Sequence, residues 1–226
     1  MPKKTRAIKL TDRRGNKPWL KKKGISKYQI DTIEIKRTFL IVCEGQTEEL
    51  YFRAFPVITA RIKACPLGCS KSKLVECTKA IVADESYDEV WCVFDMDVKP
   101  DVVGQFEDYN NAIEEAERSG FNTAYSNDAF ELWFVLHYQF IDQQQLRTFY
   151  YEALGNRWGF RNYDVDGKKR AFANTIYRRT LPDQPTAIRN AQRVFEEVKD
   201  IRPYHLQNPV TTAYKLVMAL NEHLRQ

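Results

Sequence analysis

The chain has 226 residues, 43% of them hydrophobic and 13% aromatic, at a mean hydropathy of −0.54 and a net charge of +5. Such a length and apolar content exclude wholesale disorder and bound the fold to one domain, or one domain with an appendage. The apolar runs fall far short of the roughly 20 residues a membrane span needs, so no membrane is expected among the partners. No apolar stretch precedes Thr38, so no secretory signal is read.

The charge is unevenly spread. Met1–Tyr28 carries eleven basic residues and one acid, Asp12, which leaves the rest of the chain net acidic. Residues 1–35 are therefore expected to form a basic, flexible arm. Lys21, Lys22 and Lys23 are its candidate contacts to a nucleic-acid backbone, salt-sensitive and independent of sequence. The alternative for the arm is a solvated terminus. Five cysteines, an odd number, point to reduced thiols in a cytoplasmic chain rather than a disulfide framework. Cys65 and Cys69 have a metal-compatible spacing, but no second pair follows to complete a zinc site.

Thr38–Cys43 is a continuous apolar run, the pattern of a strand buried on both faces. It ends at Glu44-Gly45. From Thr47 a helical pattern runs to Phe55 and stops near Pro56. Ile58–Cys65 is a weaker strand signal, and Lys73–Ala83 reads as a helix. Val90–Phe94 is a second fully apolar strand, ending at Asp95-Met96-Asp97. Gln105–Arg118 is a helix stopped by Gly120, Phe121–Tyr125 a third strand, and Ala129–Tyr138 an apolar helix. Asp142–Arg179 mixes aromatics with glycines and charges and shows no clear period. Pro182–Pro185 reads as a break. Thr186–Lys199 and Val210–Leu224 read as amphipathic helices. Alternating strands and helices predict an α/β fold with a mostly parallel sheet flanked by helices. A core over 36–141 and a helical C-terminal elaboration over 142–226, packed on that core, are expected.

In open α/β sheets, ligands bind beyond the carboxyl ends of the strands. Glu44 closes the first apolar strand, Asp95 closes the second, and Asp97 follows two residues later. Strand alternation puts Asp95 and Asp97 on one face and Met96 on the other. Carboxylates this close repel, and a hard divalent cation with oxygen ligands removes the repulsion. Glu44, Asp95, Asp97 and Glu48, one helical turn past Glu44, are thus candidate ligands for Mg²⁺ or Mn²⁺. Acids after strands also serve as turn formers and helix caps, and that reading stays open. Lys99, just beyond the aspartates, is a candidate phosphate contact or a plain loop lysine.

Three segments, IVCEGQTEELYF (Ile41–Phe52), VFDMD (Val93–Asp97) and SNDAFELWFVLHY (Ser126–Tyr138), together resemble the RloB-like family, associated with the AbiL abortive-infection system and with restriction loci. AIRNA (Ala187–Ala191) and NPVTTAYKLV (Asn208–Val217) resemble its C-terminal pattern. The family's core is similar to the Toprim domain of topoisomerases, primases and overcoming-lysogenization-defect nucleases. That resemblance implies a Toprim-like core with Mg²⁺ held by Glu44, Asp95 and Asp97, and Glu44 as a general acid or base. It also places Asn127, Asp128, Glu131 and His137 near the same sheet edge. Glu131, in the first turn of the following helix, joins the catalytic candidates, while His137 falls nearly opposite it on a helix and reads as a packing residue. Met96 stands where an Asp-Arg-Asp form of the motif carries arginine.

The implied activity is metal-dependent hydrolysis of phosphodiester bonds in DNA or RNA, in antiviral defence alongside an ATPase partner. Two other classes remain. One is a non-catalytic adaptor or sensor for the partner ATPase. The other is a phosphatase or phosphotransferase of the haloacid-dehalogenase type, which also uses Asp-x-Asp after a strand. Against that type, Lys99 stands where it has threonine or valine, and the motif follows the second core strand instead of the first.

Overall fold

The computed structural model describes residues 37–64, 69–99 and 102–225. The basic arm, with Lys21, Lys22 and Lys23, and Cys65 of the Cys65/Cys69 pair lie outside the described residues.

Five strands form one sheet: β1 (Phe39–Cys43), β2 (Ala60–Ala64), β3 (Glu89–Asp95), β4 (Asn122–Asn127) and β5 (Val210–Thr211). Their spatial order is β2-β1-β3-β4-β5, with every pairing parallel except that of β5 to β4. The strands β1 and β3 are central, so both faces are covered by helices. This explains why they read as unbroken apolar runs. Alternate residues feed two cores. Leu40, Val42, Cys92 and Phe94 pack under α2 (Lys71–Asp84) and α3 (Gln105–Arg118). On the opposite face Phe39, Ile41, Trp91 and Val93 meet α1 (Gln46–Arg53) and α4 (Glu131–Val135). The same core takes in residues of α5 (Arg147–Trp158), α6 (Tyr163–Asp166), α7 (Arg170–Thr180), α8 (Gln184–Val198) and α9 (Ala213–Asn221). No helix among the described residues is long and apolar enough to cross a membrane.

The C-terminal part departs from its expected pattern in three places. Asp142–Arg179 holds three helices, α5 to α7, whose periodicity is blurred because its tyrosines are core residues. Tyr150, Tyr163 and Tyr177 are buried, and Trp158 packs on Phe134, Tyr163 and Phe172. Pro182 and Pro185 do not break the chain. They occupy the first turns of a 3₁₀ turn and of α8, where a missing N–H costs nothing. The last segment starts as a strand: Val210 and Thr211 pair with Asn127 and Ser126, and the helix begins only at Ala213. Thr212 fastens this junction, its hydroxyl accepting the Tyr125 N–H at 2.9 Å.

His137 is buried beside the Trp133 ring, and its Nδ1–H donates to the Trp133 carbonyl at 2.9 Å. Burial pulls its pKa from 6.5 down to about 4. The unfolded chain therefore takes up a proton that the folded one refuses between those values, and stability falls as pH drops from 6.5 to 4. Relative to a His137→Asn variant, wild type is expected to lose about 3 kcal/mol more between pH 7 and pH 4 in urea unfolding. Parallel pH profiles would contradict this assignment.

Candidate active site

A cleft of about 740 Å³ opens at the carboxyl ends of β1 and β3. Glu44, Glu48, Asp95, Asp97, Glu131 and Lys99, all singled out from the sequence, line it. Glu44 leaves β1 with its N–H bonded to the Val93 carbonyl of β3 at 2.9 Å, which sets the two strand ends side by side. Glu48 stands in the first turn of α1, where its charge suits the helix dipole. Gly45 leaves room for the Glu48 carboxylate: a Cβ there would meet it and push it aside. Glu131 opens α4, and Asp95 Oδ2 accepts the N–H of the preceding Phe130 at 3.0 Å.

Asp95 is the electrostatic centre. Burial raises its own carboxyl, against the Phe130 N–H. Glu44 and Glu131 are each pushed up to about 7, first by burial; Asp95 adds to the rise, while Lys71 and Lys168 respectively oppose it. Glu48 is raised well above the ordinary range by burial and then by Asp95. Only 6% of Glu48 is exposed, and it makes no ion pair among the described residues. Glu44 Oε2 is buried without a hydrogen-bond partner.

Asp97 departs from the strand-alternation expectation. The strand ends at Asp95, and Asp97 takes a left-handed backbone with φ of 40°. It reaches the cleft through a turn, whose N–H groups at 96 and 97 bond the carbonyls of Ser126 (2.9 Å) and Asp128 (3.1 Å). Met96 is buried in the α2–α3 core, so an arginine at that position would have to leave the core to reach the cleft.

The sequence did not single out Lys71 or Arg147 for the cleft, and Lys168 lies in the stretch that mixes aromatics with glycines and charges. Lys71, at the first position of α2, reaches Glu44 Oε1 at 3.3 Å. Asp108 of α3 positions it by accepting the backbone N–H groups of Lys71 and Ser72 at 2.8 and 3.2 Å. Lys168 touches Glu131 (3.5 Å), Asp164 (3.1 Å) and the Tyr151 hydroxyl (2.7 Å). Arg147, the first residue of α5, pairs with Asp97 and Asp128. Lys99 lies 3.5 Å from Asp97 and is largely exposed. The one local signal was Ser70, an N-cap accepting the Lys73 N–H, which starts α2 two residues earlier than expected. As the side chains stand, no group of three or more His, Cys, Asp or Glu among the described residues is placed to hold a metal ion.

A family model described as RloB-like protein matches residues 39–220, from the first residue of β1 into α9. The chain belongs to the RloB-like protein family. The match includes every cleft residue named above. No curated protein matches this RloB-like chain.

Proposed function

We propose that this RloB-like chain is a metal-dependent nuclease with a Toprim-like core that hydrolyses phosphodiester bonds of DNA or RNA. The observation that carries the reading is the charge balance at Asp95. Asp95, Glu44, Glu48 and Glu131 are four carboxylates faced by two ion-pairing cations, Lys71 and Lys168, the second shared with Asp164. With all four ionised, an excess of two negative charges remains, which one divalent cation would offset; without a cation, the raised Glu44, Glu48 and Glu131 carboxyls offset it by holding protons. The donors are all hard oxygens, the chemistry of Mg²⁺ or Mn²⁺ ligands, with Glu44 Oε2 orphaned and Glu48 buried without an ion pair; the side chains would have to draw together to share a cation. Glu44, Glu48, Asp95 and Glu131 would hold it. Bound there, such a cation polarises a phosphoryl oxygen and acidifies water.

The chain's own groups supply the rest. The resemblance also gives Glu44 a general acid or base role, and its carboxyl, raised to about 7 in the absence of a cation, suits that role. Lys71, Lys99 and Lys168 line the same cleft and match the charge of a phosphodiester backbone. The defence setting and the ATPase partner follow from the family resemblance alone.

A second reading, a non-catalytic adaptor for the ATPase, is favoured by one observation: Lys71, Lys168 and Arg147 already neutralise part of the acid cluster. Incubation of the purified chain with plasmid DNA, tRNA and phage RNA in Mg²⁺ or Mn²⁺ separates the two. The nuclease reading predicts metal-dependent cleavage that falls at least about 100-fold in Glu44→Gln. Cleavage undiminished in Glu44→Gln overturns the site assignment. No cleavage under any metal, with an ATPase retained on co-purification, favours the adaptor.

A further inference from the structure

Asp95 and Asp97 belong to one motif but have different surroundings. Asp95 makes no ion pair among the described residues, and its side chain faces Glu44, Glu48 and Glu131. Both oxygens of Asp97 are taken: Oδ1 by the Arg147 guanidinium and Oδ2 by Lys99 at 3.5 Å. Arg147 in turn grips Asp128 with three nitrogens. Its backbone N–H and Nε donate to Oδ2 at 3.1 and 3.3 Å, and a terminal nitrogen donates to Oδ1 at 3.1 Å. Asp128 is buried, and its carbonyl accepts the Asp97 N–H at 3.1 Å. The ring closes: Asp97 to Arg147, Arg147 to Asp128, and Asp128 back to the Asp97 backbone.

We infer that Arg147 is a positioning residue: with Asp97 and Asp128 it forms a clasp that fixes the turn after Asp95, and Asp97 serves the cleft through Arg147 instead of touching the cation. The part that concerns the cation rests on the metal-dependent reading above. A left-handed backbone at a non-glycine residue is unfavourable alone and persists when its surroundings over-determine it. The clasp supplies that determination, because two parallel N–H···O bonds from a guanidinium fix direction as well as distance. It also ties the Asp-x-Asp turn to α5. The sheet edge that carries the acids and the C-terminal helices thus share one hinge of charge. Asp97 and Asp128 are paired with Arg147 and Lys99, which leaves the unpaired negative charge of the motif on Asp95.

The test pairs a double-mutant cycle with metal titration, using the full chain. Arg147→Gln is expected to lower the melting temperature by about 5 °C, and Asp97→Asn/Arg147→Gln by no more than that. Arg147→Lys, which keeps the charge and loses the two-nitrogen grip, should fall between wild type and Arg147→Gln. In calorimetry with Mn²⁺ alone, Asp97→Asn should bind within about threefold of wild type, while Asp95→Asn binds at least about 30-fold more weakly. Additive melting shifts in the cycle overturn the clasp. So does an Asp97→Asn protein that loses Mn²⁺ as completely as Asp95→Asn. If wild type takes up no Mn²⁺, the metal reading fails instead, and the cycle alone decides the clasp.

Discussion

Asp95→Asn is expected to reduce phosphodiester hydrolysis roughly a thousandfold while leaving the fold intact. The side chain keeps its size and one oxygen to accept the Phe130 N–H, so α4 stays attached to the end of β3. What disappears is the charge that Glu44, Glu48 and Glu131 all face. A metal at such a site supplies several kcal/mol of charge stabilisation in the transition state, and at 1.36 kcal/mol per tenfold its loss is about three orders of magnitude in rate. The same substitution removes a repulsive, unpaired charge from a low-dielectric cleft, so the metal-free variant should melt above wild type. Lower activity with higher stability marks a strained functional cluster. Lower activity with lower stability would mean that Asp95 is a structural capping group, and the nuclease assignment would lose its centre.

Tyr51→Ala should have the largest effect on stability. Tyr51 lies fully buried on α1, in edge contact with Phe52, Phe55, Phe130, Phe134 and Tyr177. Its hydroxyl accepts the Trp133 indole N–H at 3.0 Å. Truncation opens a cavity among α1, α4 and α7 and leaves a buried donor without a partner. Together these cost about 4 kcal/mol, or roughly 10 °C in melting temperature for a chain of this size. Tyr51→Phe keeps the ring and loses only the acceptor, and should cost about 1 kcal/mol. Because α1 also carries Glu48, the alanine variant should lose activity along with stability. An alanine variant within 1 kcal/mol of wild type in urea unfolding would show that this aromatic cluster does not hold α1 in place.

The acidic half of the cleft was legible because it follows from strand physics. Central parallel strands must be apolar throughout, so the first acids after Cys43 and Phe94 mark where the sheet stops and a ligand can approach. Glu131 was reached through the family resemblance, and its placement at the start of α4 agrees with the structure. The basic half was not legible. Lys71 lies 27 positions from its partner Glu44, and only the docking of α2 on Asp108 turns it inward. Arg147 and Lys168 come from the stretch where buried tyrosines hide the helical period. Alternation put Asp97 in the cleft by the wrong route: it arrives through a left-handed turn after β3 that answers to Arg147 and Asp128, which no local pattern reveals. The two-residue strand β5 escaped for a related reason: its pairing with Asn127 and Ser126 is set by tertiary contact, not by length or alternation.

The central claim is that the cleft around Asp95 holds a divalent cation. Calorimetric titration of Mn²⁺ and Mg²⁺ into wild type and Asp95→Asn, without nucleic acid, tests it most directly. The account predicts saturable binding to wild type that vanishes in the variant. Equal binding to both proteins, or none to wild type at millimolar metal, would contradict it.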